Sequence, residues 1–286
     1  MSVDLLIVSD THLAPDNPEA NANWDAIVDH VATTLPEAVV HLGDLTVNGA
    51  DEAEHLSFAR HQLDRLAVPW FAIPGNHDIG DNPIDGVTGP STITERRRER
   101  WESEIGPTRW TLSLDGWTVV AIDAQLFTSG LQAEAEQWTW LEQTMAALAP
   151  DEAVALAVHK PLTAPEHELS AAPPYRFVPA AAASRLLTPT SRSSTAMVLS
   201  GHVHQFRILD VDGTRHVWAP TAWATLPDNS QPTFGFKRIG AVSLCLDGDR
   251  PGQATMIEPY GIEQQTIGVD APNPYDRVHP QERPSS

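Results

Sequence analysis

The chain has 286 residues, 41% of them hydrophobic and 7% aromatic, enough for a sizeable core and within the size of a large α/β sandwich. A net charge of −20 and a pI near 4.8 argue against a broad basic face for duplex nucleic acid, but not against a small phosphate compound whose charge is met by bound metal ions. The single cysteine, Cys245, excludes an intramolecular disulfide and a cysteine-based zinc site.

Leu5-Leu6-Ile7-Val8 is a short apolar run behind an acidic flank, too short for a signal-peptide core, and no stretch approaches membrane-spanning length. A cytoplasmic protein without a membrane partner is expected. Leu5–Ser9 reads as a buried strand, followed by a helix over Asn23–Thr34 with Trp24, Ile27, Val28 and Val31 at helical spacing. Ala38–Leu42 is a second strand, Glu52–Ala67 an amphipathic helix, and Trp70–Ile73 a third strand. That β-α-β-α-β order predicts a parallel sheet with helices on its face. Ile79–Pro90 is a Gly-, Pro- and Asp-rich loop, and Thr92-Ile93-Thr94-Glu95 fits a capping box for a helix carrying Arg96-Arg97-Arg98. Interleaved glutamates mark those arginines as a solvated face.

Trp110–Leu114 and Trp117–Ile122 form a predicted hairpin about Asp115-Gly116. A helix over Gln132–Ala149 and a strand over Val154–Val158 follow. Ala196–Leu199, Phe206–Val211, Arg215–Trp218 and Ala241–Leu246 are further strands, with turns at Asp212-Gly213 and Asp247-Gly248, and Cys245 reads as buried. The expected division is one domain over 1–268 and a Pro-rich, mobile tail over 269–286.

Five pieces after these strands carry metal-ligand side chains: Asp10-Thr11-His12, Gly43-Asp44, Gly75-Asn76-His77-Asp78, His159 and Gly201-His202-Val203-His204. Spaced two apart in extended segments, Asp10 and His12 can face one ion together, as can His202 and His204. Either pair alone is commonplace. A carboxylate such as Asp44 can bridge two cations, and Asn76 offers a neutral amide oxygen. With Asp10 and Asp44 ionised, two divalent ions leave a net positive site, suited to an anionic phosphate ester and able to ionise a bound water.

In this order the five pieces resemble the motif blocks of the calcineurin-like metallophosphoesterase superfamily, from the first strand to about residue 260, with every family ligand matched. Length and spacing are similar to the bacterial branch of class III cyclic-nucleotide phosphodiesterases and glycerophosphodiesterases. The resemblance implies a four-layer α/β/β/α sandwich with a dinuclear site at the strand ends. It implies that Asp10, His12 and His204 hold one metal, that Asn76, His159 and His202 hold the other, and that Asp44 bridges them. It further implies in-line attack on phosphorus by a water or hydroxide between the metals. His77 is then a catalytic residue that contacts the phosphate or leaving group, with Asp78 accepting from its other nitrogen. The ligand set suits Mn, Fe or Zn, divalent or of mixed valence. Gly75 and Gly201 suit tight turns or close backbone approach.

The expected activity is hydrolysis of a small phosphate diester, such as a cyclic nucleotide. The alternatives are a phosphomonoesterase of the same superfamily and a non-catalytic metal-binding scaffold. Of the twelve histidines, His41 reads as a hydrogen-bonded core residue, His30, His55 and His61 as solvent-facing, and His167 as a surface residue; His216 and His279 lie in no motif. Lys160, Arg207, Lys237 and Arg238 are the candidate contacts for a substrate anion, although Lys160, next to a ligand, is expected to point away. Trp218 and Trp223 read as packing residues.

Overall fold

β1 (Val3–Val8) turns Leu5 and Ile7 to one face and Leu6 and Val8 to the other, and all four are buried. A strand apolar on both faces has to be covered on both. In the computed structural model, which describes residues 2–83, 86–149, 151–171, 173–188, 195–247 and 250–271, that requirement produces four layers.

α1 (Pro18–Thr34) and α2 (Ala53–Leu63) form the first layer, and their Trp24, Ile27, Val31, Leu56 and Leu63 share a core with Leu6 and Val8. β1 pairs in parallel with β2 (Ala38–His41), and β2 in parallel with β3 (Trp70–Ala72). α3 (Asn76–Ile79) and α4 (Glu95–Glu104) follow, then the hairpin of β4 (Trp110–Leu114) and β5 (Trp117–Ile122). α5 (Gln132–Ala147), β6 (Ala153–Val158), α6 (Glu166–Ala171), α7 (Ala180–Leu187) and β7 (Thr195–Ser200) lead to β8 (Arg207–Val211) and β9 (Thr214–Trp218). β10 (Ala241–Asp247) and β11 (Arg250–Ile257) complete the first sheet, in the order β11-β10-β1-β2-β3. The second sheet runs β4-β5-β6-β7-β9-β8, with β5, β6, β7 and β9 parallel.

Leu5, Ile7, Val40 and Leu42 of the first sheet meet Ala157, Leu199 and Val217 of the second in the central core. Val120, Leu156 and Val198 face outward against Leu141, Ala182 and Ala183 of α5 and α7. This is the expected α/β/β/α sandwich, and the carboxyl ends of β1, β2, β3, β6 and β7 deliver the five motif pieces. No helix among the described residues is long and apolar enough to cross a membrane.

Several details depart from the expectation. α1 starts at Pro18, because a proline in the first turn followed by Glu19 makes a helix start that apolar periodicity does not register. Thr94, not Thr92, caps α4: its hydroxyl accepts from the Arg97 N–H at 3.3 Å, while Thr92 pairs with Asp81. β11 was not expected, since Pro251 and Gly252 argue against a strand; at a sheet edge both are tolerated. Cys245 is half-buried, because Leu244 and Leu246 take the inner face of β10. His55 is buried and His30 half-buried, whereas His61 and His167 are exposed as expected. Residues 269–271 turn back on Thr266 and bury Ala271, while Gly248, His279 and the rest of the expected tail, 272–286, lie outside the described residues.

One polar residue ties the first layer to the far end of the chain. Asn23 of α1 is fully buried; its amide donates to the carbonyls of Trp223 at 3.2 Å and Glu263 at 3.1 Å and accepts from the Glu263 N–H at 2.8 Å. Removing it takes the partner of the Glu263 carbonyl and N–H, while the Trp223 carbonyl keeps the Gln265 amide at 3.0 Å, so each lost bond is worth about 0.5–1.5 kcal/mol. Asn23→Ala should lower the unfolding free energy by about 2–3 kcal/mol, read from urea midpoints at unchanged slope. A loss below about 0.5 kcal/mol would mean that water takes over these bonds.

Candidate metal centre

The segments after β1 and β2 stay paired beyond the sheet: Asp10 N–H donates to Gly43 O at 3.0 Å, His12 N–H to Asp44 O at 3.1 Å and Leu13 N–H to Leu45 O at 2.8 Å. Within this frame Asp10 (φ 53°), His12 (φ 46°) and Asp44 (φ 50°) adopt left-handed backbone, as do His202 (φ 67°) and His204 (φ 52°) after β7. Such conformations are uncommon outside glycine, and five together at strand ends turn successive side chains inward. Gly75 and Gly201 let the segments touch. A Cβ on Gly75 would fall on the Asp44 carboxylate, and one on Gly201 would fall on the Ser9 hydroxyl.

Six of the seven expected ligand side chains converge in two groups, and the seventh, Asn76, lines the same cleft. Asp10, His12 and His204 form one buried group, with ligand atoms all within 4.8 Å of one another, and Asp44, His159 and His202 form a second. His204 Nε2 lies 3.4 Å from Asp10 Oδ1 and 3.3 Å from His12 Nε2. Asp44 Oδ2 lies 3.3 Å from His159 Nε2 and 3.9 Å from His12 Nε2, so this carboxylate stands between the groups. Asn76 Oδ1, His159 Nε2 and His202 Nδ1 are buried without a hydrogen-bond partner.

Tautomers follow from the acceptors. His159 Nδ1 lies 2.8 Å from the Leu42 carbonyl and His204 Nδ1 lies 2.7 Å from that of Ala224, so both nitrogens must donate. Their Nε2 atoms are thereby directed at the carboxylates, the outer-partner arrangement typical of metal-bound imidazoles. Orphaned oxygen and nitrogen acceptors aimed at one another fit divalent transition-metal ions.

Burial pushes the Asp44 carboxyl up, but His159, His77 and His12 outweigh it and hold the group well below its ordinary value. Burial lowers His12 and His202 well below the usual imidazole range, keeping both in the neutral, ligating form. Burial also lowers His159, but adjacent Asp44 raises it to about 9; Asp10 likewise raises His204 against its burial.

The expected His77–Asp78 contact is corrected. His77 Nδ1–H donates to the Val47 carbonyl at 2.9 Å. The buried Asp78 carboxylate instead accepts from the N–H groups of Leu45 (3.0 Å), Thr46 (2.9 Å) and Gly75 (2.8 Å) and from the Thr46 hydroxyl (2.7 Å). Neighbours on a helix do not face each other, and Asp78, at the third position of α3, folds back on the helix start. Asp78 therefore locks the Asp44 turn to the Asn76 turn, and His77 is oriented by backbone.

The cleft over these groups has a volume of about 340 Å³ and is lined by Asp44, Asn76, His77, His202, His204 and Arg176 among others. Lys160 turns away as expected: fully buried, it pairs with Asp81 and donates to Asn82 Oδ1 at 2.7 Å. Arg207, Lys237 and Arg238 are paired with Glu168, Asp228 and Glu258. Trp223 is buried with its ring 4.9 Å from His12, and His41 is buried with Nε2 2.9 Å from the Thr11 hydroxyl. Arg97 and Arg176 line the cleft, and neither figured among the sequence candidates, because no motif surrounds Arg176 and Arg97 sits in an interleaved charge run.

Asp123, just past β5, is a buried carboxyl that the motifs do not include. Its Oδ1 accepts from Gln125 N–H at 2.8 Å, Oδ2 has no partner, and burial raises its pKa to about 7. A raised folded value means the folded state keeps a proton that the unfolded chain releases. This contribution to stability is complete below the ordinary carboxyl value and is lost as pH rises through about 7. Asp123→Asn should remove it, so that the variant's gain in urea midpoint over wild type, both metal-free, grows from about pH 4.5 to about pH 7.5. A pH-independent difference would show that the carboxyl titrates normally.

Solved structures similar to this chain are similar in fold, with low sequence identity. Purple acid phosphatase PPD1 from yellow lupin (Lupinus luteus) seeds has a TM-score of 0.59 at 15% identity, covering 94% of this chain and 55% of its own. This chain thus spans about half the length of the lupin protein. A dimetal phosphatase from Danio rerio has a TM-score of 0.58 at 14% identity, covering 90% and 97%. GAP50, the anchor in the inner membrane complex of Plasmodium, has a TM-score of 0.56 at 12% identity, covering 92% and 86%. No curated protein matches the sequence. Residues 3–206 match the family described as calcineurin-like phosphoesterase, and over that span, which carries all five motif pieces, the chain belongs to this family.

Proposed function

We propose that this phosphoester hydrolase acts on a small phosphate diester, such as a cyclic nucleotide, using two transition-metal ions. The observation that carries the two-metal reading is the pair of converging ligand groups with Asp44 between them. Asp10, His12 and His204 would hold one ion, Asn76, His159 and His202 the other, and Asp44 both. Manganese, iron and zinc all suit these donors. When bound, the ions supply Lewis acidity toward the phosphoryl oxygens and a water ionised near neutral pH as nucleophile. His77, with Nδ1–H fixed on Val47 O, would meet the substrate through Nε2 and, as the imidazolium with both ring nitrogens protonated, would give the Nε2 proton to the leaving oxygen. Asp78 positions the two turns that carry Asp44 and Asn76 and touches no substrate in this reading.

The diester assignment is supported by resemblance to the phosphodiesterase branch and by a cleft of about 340 Å³ that suits small substituents. A phosphomonoesterase is the second reading, favoured by the net positive charge left when two divalent ions meet only Asp10 and Asp44. The acidity of the chain disfavours duplex nucleic acid as partner. A cytoplasmic location fits a chain with one cysteine.

Metal analysis of the purified protein, with activity on bis-(p-nitrophenyl) phosphate, p-nitrophenyl phosphate, cyclic AMP and glycerophosphodiesters in added Mn(II), tests the reading. Faster turnover of monoesters than of every diester would replace the diester assignment with the second reading. Asp44→Ala should abolish turnover and lower metal content; full activity with both metals retained would sink the site. His77→Ala should keep the metals and slow hydrolysis by about 10²–10⁴-fold. Stoichiometric metal loss in that variant would instead make His77 a ligand.

A further inference from the structure

A short 3-10 turn, Pro174–Arg176, carries the chain past the ligand cluster. The Tyr175 ring stands edge-on to that of His202, with centroids 6.5 Å apart. The next residue, Arg176, is only 4% exposed and forms part of the cleft wall. Its guanidinium carbon lies 6.0 Å from the Tyr175 ring and 5.9 Å from the Phe234 ring. Nη1 is buried with no hydrogen-bond partner, and the guanidinium makes no ion pair among the described residues.

Other buried or half-buried cations near the cleft have partners: Arg100 donates to the carbonyls of Gly49 at 3.3 Å and Ala50 at 3.0 Å, and three more are ion-paired. Arg97 pairs with Asp51, Lys160 with Asp81 and Arg207 with Glu168. A buried charge without a counter-ion is costly, and aromatic faces at about 6 Å offset only part of that cost. An arginine cannot escape by losing its proton. A guanidinium left uncompensated in the wall of a cleft is what a site built for an incoming anion requires, and its planar fork matches phosphoryl or carboxylate oxygens two at a time.

We propose that Arg176 is a substrate-binding residue outside the five motif pieces, which receives an anionic oxygen of the substrate on the wall beside the metal centre. This rests on the phosphoesterase reading above. The oxygen belongs either to the phosphoryl group at the metals or to a second anionic group elsewhere on the substrate. In both cases Arg176 contributes to preference among esters, because a substrate without an oxygen at that position leaves the cation desolvated and unpaired.

Calorimetric binding of orthophosphate and of pyrophosphate to the metal-loaded protein separates the sources. Arg176→Gln should weaken orthophosphate about 10- to 100-fold if the arginine holds the phosphoryl group at the metals, the weight of a charge-assisted hydrogen bond. Weakening confined to pyrophosphate would assign it to a second anion. Arg176→Lys should lose less than Arg176→Gln, and metal content should stay that of wild type. In the anion-free, metal-free protein, Arg176→Met should melt at or above the wild-type temperature, because it removes an uncompensated charge. The proposal is overturned if both anions bind the variants within about twofold of wild type, if wild type binds neither, or if Arg176→Met melts well below wild type with Arg176→Gln binding anions normally. If no ester is turned over while anion binding still depends on Arg176, the phosphoesterase reading fails and the anion site stands.

Discussion

Left-handed backbone at the strand ends is the constraint on which the rest of this site depends. Asp10, His12, Asp44, His202 and His204 account for five of the eight non-glycine residues with positive φ among those described. A strand that simply continued would send alternate side chains to opposite faces. The left-handed turns bring them to one side instead, at a conformational cost of about 1–3 kcal/mol per residue. The cost is sustained because the turns are cross-braced, Asp10 on Gly43, His12 on Asp44 and Leu13 on Leu45 through backbone hydrogen bonds. Asp78 adds a further brace, gathering three backbone N–H groups from two turns onto one carboxylate.

Packing beneath the turns keeps the braces in register. Ile7, Val40 and Leu42 are fully buried between the sheets together with Ala157 and Leu199, so the strands that end in ligands share one core. A slip by one residue would exchange inner and outer faces along any of them. The same core carries Asp44 and His159 to within 3.3 Å although 115 residues separate them in the chain (159 − 44). Net charge works in the opposite sense. The chain carries −20 overall, yet the two ligand groups hold four histidines to two carboxylates, and Arg176 adds a cation with no ion pair among the described residues. An acidic exterior with an electron-pair-rich, cation-seeking interior is consistent with small anionic ligands arriving at metal ions and with repulsion of long polyanions.

Much of this was legible beforehand because the signals were local. Unbroken apolar runs announced buried strands, and helical spacing announced α1, α2 and α5. The five motif pieces could be identified from residue type and order alone. What escaped depended on neighbours distant in sequence. Asp78 was expected to partner His77 as the outer carboxylate of the implied site, but neighbours on a helix turn their side chains apart, and only the fold brings Leu45, Thr46 and Gly75 to its carboxylate. β11 was hidden by Pro251 and Gly252, which matter less at an edge than in a sheet centre. Asn23 looked like an ordinary polar residue of a helix until Trp223 and Glu263 were placed against it. Arg176 had no local pattern to mark it.

The sequence by itself determined the strand and helix segments and the ligand residue types, because alternation, periodicity and donor chemistry are properties of short segments; the four-layer order and the two-metal chemistry followed from the family resemblance that the five pieces carry together. Only the tertiary structure decided which imidazole nitrogen faces the centre, which carboxylate braces the turns and which arginine of the cleft wall has no ion pair among the described residues. Those are matters of partner and burial, set when residues far apart in the chain compete for the same few ångströms, and no short segment contains the information that settles them.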